Sequence, residues 1–239
     1  MKRIFRWIPH GVRSASLNMA IDETLMTSLE NSDDDPAVLR FYSWSHPAIT
    51  AGYFQDIRKL ASKFGARQKV SQVVRRLTGG GMVLHGKDLT FSLLLRISDP
   101  LISGDVKASY LKINEALMAG LGGLFKGLDY ADCRTAAPSG RGEAERVCFE
   151  KPSCYDVMNS GKKVVGASQR RRNGVLLHQS AIFLERPAEE LEKCILKGFE
   201  KKWGVEFRPE SLSAAELRMS EKTEKNRYGS REWALDFRH

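Results

Sequence analysis

At 239 residues, 42% of them hydrophobic, the chain is long enough to bury a sizeable core as one large domain or two small ones. Its 38 Lys and Arg against 29 Asp and Glu leave a net charge of +9, which favours acidic partners without choosing among nucleic acid, acidic proteins and membrane surfaces. No run approaches the roughly 20 apolar residues of a membrane span, and the N-terminal MKRIFRWIPHGVRS lacks the apolar stretch of a signal peptide, so the expected location is the cytoplasm. Cys133, Cys148, Cys154 and Cys194 show no CxxC spacing, which argues against a zinc site and predicts free thiols in a reducing compartment.

After a short N-terminal strand, SASLNMAIDETLMTSLEN predicts a helix, with Ser14 or Ser16 as cap and Leu17, Ile21, Leu25 and Leu29 on one face. AVLRFYSW and AITAGY read as strands, DIRKLASKFG as a short helix ending at Gly65, and VVRRL, MVLH and LTFSLLLRI as further strands. KASYLKINEALMAGLGGLF is the clearest second helix, weakening at Gly122 and Gly123. Residues 136–145, polar and without periodicity, read as a surface loop that could gate a site. Beyond it VCFEKPSCYDVM, KKVVGASQ and GVLLHQSAIFL read as strands, and the tail alternates helices with the strand-like GVEFRP.

The stretch RRLTGGGMVLHGKDLTFS, residues 75–92, is unusual for β structure. Three consecutive glycines bring no side chain to pack, so a ligand or another backbone is expected against Gly79, Gly80 and Gly81. Their N–H groups could cradle a phosphate or carbonyl oxygen beside Arg75 and Arg76, or the run could be a hairpin turn with two solvated arginines. The dinucleotide-binding and Walker patterns are absent. His85 could orient a ligand or be a hydrogen-bonded structural residue. In GKKVVGASQRRRNGVLLHQS, strict alternation would put Lys163, Val165, Ala167 and Gln169 on one face, so lysine and glutamine would look into the same space. A buried lysine there needs an anionic or oxygen-rich partner, unless it is an edge lysine with its ammonium in water. Cys148 and Cys154 have equal claims to reactivity on this basis, and Arg170, Arg171 and Arg172 form either a solvated face or a contact for an acidic carrier protein.

Taken together, SLNMAIDETLM, RFYSWSHPAITAGYFQ, RRLTGGGMVLHGKDLTFS and GKKVVGASQRRRNGVLLHQS resemble, in order and over nearly the whole chain, the lipoate-protein ligase and octanoyltransferase superfamily. The resemblance implies an α+β, biotin/lipoate-protein-ligase-like fold, of the class II aminoacyl-tRNA synthetase/biotin synthetase-like kind, with mixed sheets and flanking helices. It further implies one catalytic domain over residues 1–239, monomeric and without a separate C-terminal accessory domain. The Gly-Arg-Asn-Asp element of the ATP-dependent ligases is missing, and VCFEKPSCYDV in its place resembles the cysteine-dependent octanoyltransferases, as does the closing RPESLSAAELRMSEKTEKNRYGSREW. Two departures are GGGM, closer to the ligase version, and HQS, where many relatives have His-Gly-Ser.

That likeness singles out Cys148 as nucleophile and Lys163 as its catalytic companion, with Arg75, Arg76, Thr78, Gly79, Gly80, Gly81, His85, Gly166, Ala167 and His178 around the acyl group. The implied donor is octanoyl-acyl carrier protein, and the implied acceptor a lysine of a lipoyl domain such as glycine cleavage H protein or 2-oxoacid dehydrogenase E2. Neither nucleic acid nor membrane is implied as a partner, and transfer would need no metal or cofactor. The alternative is an ATP-dependent ligase, using Mg and lipoate with or without a separate accessory subunit, in which Cys148 would be dispensable.

Overall fold

The computed structural model describes residues 2–60, 70–102, 105–132, 134, 152–230 and 232–233. The first strand, β1 (Arg3–Arg13), leads into α1 (Ala15–Asn31) at Ser14, whose hydroxyl accepts from the Leu17 N–H and so satisfies one of the helix's open donors. Ile21, Leu25 and Leu29 are buried together with Met19 and Met26, the apolar stripe that spacing by four dictates. Next come β2 (Val38–Trp44), β3 (Ala48–Ala51), the turn α2 (Ile57–Leu60), β4 (Gln72–Arg75), β5 (Val83–His85) and β6 (Leu89–Arg96). The expected continuation of α2 to Gly65 lies outside the described residues.

Helix α3 (Val106–Leu121) begins at Asp105, which caps the Ala108 N–H, and ends at Gly122, short of the expected GLF. It is followed by β7 (Leu128–Tyr130), β8 (Val157–Asn159), β9 (Lys162–Arg172), β10 (Val175–Ile182), α4 (Ala188–Trp203), β11 (Val205–Pro209), α5 (Ala214–Thr223) and one π turn (Glu224–Tyr228). Of the strand expected over VCFEKPSCYDVM, only Val157 and Met158 are strand among the described residues. Residues 152–156 turn instead, with Tyr155 at a φ of 68°, a conformation incompatible with a continuous strand.

Among the described residues the strands form an eight-stranded sheet in the order β11-β1-β2-β6-β10-β9-β8-β7 and a three-stranded sheet in the order β4-β3-β5. In the large sheet β1 runs parallel to both β11 and β2, and the remaining neighbours are antiparallel. Side chains of β2, β6 and β10 alternate between its two faces. Leu39, Phe41, Phe91, Leu93, Leu95 and Leu176 meet α3 and α4 in one core. Val38, Tyr42, Leu94, Val175 and Leu177 meet α1 in the other. Coverage of both faces is why LTFSLLLR is apolar almost throughout rather than alternating.

The helices on the first face touch backbone to backbone: a Cβ on Gly120 would lie 2.1 Å from the Cys194 carbonyl oxygen, and one on Gly198 2.2 Å from that of Ala116. The mixed sheets with helices outside agree with the α+β expectation. No described helix is long and apolar enough to cross a membrane.

Candidate active site

On the α1 face of the large sheet, the strand registers assemble two rows of side chains. Arg40 pairs with Ser92, Ser92 with Gln179 and Gln179 with Ser168, which makes a polar row across β2, β6, β10 and β9. The neighbouring row, Tyr42, Thr90, Ala181 and Gly166, is built from the same four strands. That second row borders a cavity of about 30 Å³, closed by Met19 of α1, by Trp44, by Thr50, Val83 and His85 of the small sheet and by Arg76.

The polar row is anchored by Asp22, projecting from α1. Its carboxylate accepts from Arg40 Nη1 at 2.6 Å, Ser92 Oγ at 2.8 Å, Gln179 Nε2 at 2.8 Å and Tyr42 Oη at 2.9 Å. Four donors around one buried carboxylate satisfy the requirement that an interior charge be paired and hydrogen-bonded. Burial, with Asp22 beside it, raises the Tyr42 phenol well above its ordinary pKa, so Tyr42 remains a donor. Gln179 passes the network on: its Oε1 accepts from Thr78 Oγ1 at 2.6 Å, and Thr78 Oγ1 accepts from Ser168 Oγ at 2.8 Å.

The glycine run is organised by backbone, as its composition suggests, although the donors differ from those expected. Arg76 is buried and donates to the carbonyl oxygens of Gly79, Gly81 (2.8 Å) and Thr50 (3.0 Å). Arg75, equally buried, donates to the carbonyls of Tyr53 (2.6 Å), Gln55 (2.8 Å) and Trp233 (3.2 Å). The two arginines are therefore neither solvated nor an open anion cradle; they neutralise carbonyls that a tight turn leaves without partners. Gly80 takes a φ of 82°, and a Cβ on Gly52 would stand 1.9 Å from the Gly80 carbonyl oxygen. The backbone that presses on the glycines is thus that of Gly52, a residue the sequence offers only as the end of AITAGY.

His85 is fixed from both sides. Its Nδ1 lies 2.8 Å from Asp88 Oδ2 and its Nε2 2.9 Å from Thr50 Oγ1, while the Trp44 ring stacks on it at 3.9 Å. Asp88 also accepts from Trp44 Nε1, Thr90 Oγ1 and the Gly86 N–H. Burial would raise the Asp88 carboxyl, but the His85 charge and these hydrogen bonds outweigh it and the pKa is lowered. An ionised Asp88 accepts only, so His85 carries a proton on Nδ1 and presents Nε2 at the cavity wall.

Lys163 reaches its position through a bulge. Val157 pairs with Val165 but Met158 with Lys163, so β9 carries one extra residue there. Val164 and Val165 consequently both enter the core that holds Val157 and Ile182. That reverses the alternation and turns Lys163 to the face of Gly166 and Ser168. The expectation that Lys163 and Gln169 share one space fails for this reason. Gln169 points at α3, where its amide meets Ser109 Oγ at 3.0 Å and His178 Nδ1 at 3.1 Å. The Lys163 side chain is 2% exposed, with its Nζ 2.7 Å from Asp156 Oδ2, and Asp156 also accepts from the Ser153 N–H at 2.6 Å. Asp156 is the anionic partner that a buried lysine requires.

Of the residues singled out in the sequence, Arg76, His85, Gly166 and Ala167 line the cavity, and Thr78 is bonded to three lining residues, Arg76, Ser168 and Gln179. Arg75 and the glycines shape its surroundings. His178, expected at the acyl group, leaves β10 on the opposite face from Gln179 and is fully buried between Phe91 and Tyr110. Burial lowers its pKa to about 3, so it is neutral. Cys148, Cys133 and the loop 136–145 lie outside the described residues. Cys154, expected as a free thiol, is disulfide-bonded, whereas Cys194 is free; composition cannot report which sulfurs the fold brings within bonding distance. Among the described residues no group of His, Cys, Asp and Glu side chains is placed to hold a metal ion. Asp22 and Gly52 are site residues that the sequence did not single out, and Asp156 and Gln179 stood there only within VCFEKPSCYDV and HQS, without a role.

Residues 14–220 match the family model described as the lipoyl protein ligase A/B catalytic domain. The chain is 31% identical over 272 aligned positions to octanoyltransferase LipM of Carboxydothermus hydrogenoformans, with 98% of this chain and 99% of that one covered. It is 38% identical over 189 positions to the protein of the same name from Moorella thermoacetica, with 78% and 67% covered. A crystal structure of lipoate-protein ligase A bound with ATP shares the fold, with a TM-score of 0.71 at 21% identity over 98% of each chain. The chain belongs to the lipoyl protein ligase A/B catalytic-domain family.

Proposed function

We propose that the protein is an octanoyltransferase of lipoate assembly, moving an octanoyl group from octanoyl-acyl carrier protein through Cys148 to one lysine of a lipoyl-accepting protein. The relatives named octanoyltransferase, matched over nearly the whole chain, support the reaction class. The structural observation that carries the reading is Lys163, turned by the β9 bulge to the face of Gly166 and held by Asp156 at 2.7 Å. Lys163 stands three residues before Gly166 on the strand that lines a cavity walled partly by Met19, Val83 and Ala181; a fixed ammonium and an apolar surface are the two things an acyl carbonyl and its tail need.

In the first half-reaction the Cys148 thiolate attacks the thioester carbonyl, the bond from that carbon to the carrier's sulfur breaks, and the carrier leaves as a thiol after taking a proton. Lys163 stabilises the negative charge that gathers on the carbonyl oxygen. In the second, the neutral ε-amine of the acceptor lysine attacks the Cys148 thioester, an amide forms, Cys148 departs as thiolate and the amine's extra proton passes to solvent. Asp156 is a positioning residue: its carboxylate, 2.7 Å from Nζ, holds the Lys163 side chain in place. His85 shapes the cavity and is assigned no proton transfer. Exchange of a thioester for an amide needs no ATP. The surplus of 38 basic over 29 acidic residues favours encounter with acidic carrier and lipoyl domains.

The test is transfer in a reducing buffer from octanoyl carrier protein to a lipoyl domain with ATP omitted. Octanoylated lipoyl domain is the expected product. A requirement for ATP, with free lipoate or octanoate as the substrate, would overturn the reading in favour of a ligase.

A further inference from the structure

We infer that the Gln179 side chain sets the length of acyl chain the protein accepts, by closing the end of the cavity farthest from Lys163. The inference rests on the acyl-transfer reading and deepens it.

The register fixes the direction. Counting along β9 from Lys163, the cavity wall is Gly166 and Ala167 and then Ser168; on β10 the opposing residues are Ala181, Ser180 and Gln179. An acyl group whose carbonyl lies at Lys163 therefore runs first over the small-residue row of Gly166 and Ala181. Gln179 is the first long side chain that it meets on either strand.

Gln179 cannot swing aside. Its Nε2 donates to Asp22 at 2.8 Å and lies 3.5 Å from Met19 Sδ, and its Oε1 accepts from Thr78 at 2.6 Å. Asp22 in turn is held by Arg40, Tyr42 and Ser92. A wall tied at both ends of its amide gives a fixed stop, whereas a free glutamine would yield to a longer chain. In a cavity of about 30 Å³ each intruding side chain takes a large share of the space. Shortening Gln179 also leaves Asp22 with three donors, so the fold should survive the change.

The experiment compares wild type, Gln179→Asn and Gln179→Ala in two series: kcat/KM with octanoyl, decanoyl and dodecanoyl carrier protein, and calorimetric binding of the corresponding free fatty acids. The expected result is a rise of about ten-fold or more in the dodecanoyl-to-octanoyl ratio of kcat/KM for Gln179→Ala, with a smaller rise for Gln179→Asn. Should Gln179→Ala fail to fold, Gln179→Asn decides. A variant weakened equally at every chain length would overturn the inference, because that is what a purely structural role predicts. If the wild type transfers no acyl group at all, the acyl-transfer reading falls by itself, and the same shift, or its absence, in fatty-acid binding decides the role of Gln179.

Discussion

Three titratable side chains near the two sheet faces are held in different states by what surrounds them. Asp88 stays ionised because His85, Thr90, Trp44 and a backbone N–H all donate to it. Lys163 is paired with Asp156. His178 has no charged partner in its immediate surroundings: with Gln169 Nε2 at its Nδ1 and Ser180 Oγ at its Nε2, it lies sealed against Phe91, and burial lowers its pKa from 6.5 to about 3. Between those two values the unfolded chain binds a proton that the folded chain refuses, so stability is full above pH 6.5 and falls as pH drops toward 3. From pH 7.5 to pH 5 this one group should remove about 2 kcal/mol of unfolding free energy. Denaturant melts at the two pH values should show that loss in the wild type and a correspondingly smaller one in His178→Gln; equal losses in both would contradict the assignment. The sequence shows that a histidine opens HQS, but not which face of β10 it takes, because that depends on register with two neighbouring strands.

At the scale of the element, the glycine turn and the β9 bulge decide the site. Gly80 sits under Gly52 so closely that a methyl group there would stand 1.9 Å from its carbonyl oxygen. Gly52→Ala must therefore push the turn away from β3, at a cost of the 1–3 kcal/mol typical of overpacking or more. Octanoyl transfer by Gly52→Ala should fall at least ten-fold while the far-ultraviolet circular dichroism stays native, and wild-type transfer would contradict the role given to this contact. The elements themselves were largely legible. Spacing by four in α1 and α3, the Ser14 cap and the glycine stop at Gly122 are local, and local chemistry sets them. The bulge was not. Lys163, Val164 and Val165 read as a regular strand, and only pairing with β8 and the core at Val157 reveals the extra residue. The same holds for Arg75 and Arg76, whose carbonyl partners stand up to 158 positions away in the chain.

Over the whole molecule, the large sheet separates two tasks. The face under α3 and α4 is a core of aliphatic and aromatic side chains, while the face under α1 carries the polar row from Arg40 to Ser168 and the cavity beside it. The C-terminal segment belongs to that second face: Trp233 accepts from Arg75 through its carbonyl and donates its Nε1 to the Arg75 carbonyl, and Arg227 pairs with Glu23 of α1. The resemblance stated from sequence reached this architecture because its motifs lie on α1, β2 to β6, β9 and β10, the elements that meet around the cavity. It marked Gln179 only as a departure in HQS and did not mark Asp22; the bond between the two joins α1 to β10 and follows from no local pattern.

Octanoyl transfer as proposed passes through an acyl-enzyme on Cys148. Intact-protein mass spectrometry of the reduced protein, mixed with octanoyl carrier protein in the absence of ATP, tests it directly beside Cys148→Ala. A hydroxylamine-labile octanoyl adduct is expected on the wild type and none on the variant. No adduct on either protein, with acylation of the lipoyl domain appearing only once ATP and a free acid are supplied, would contradict it.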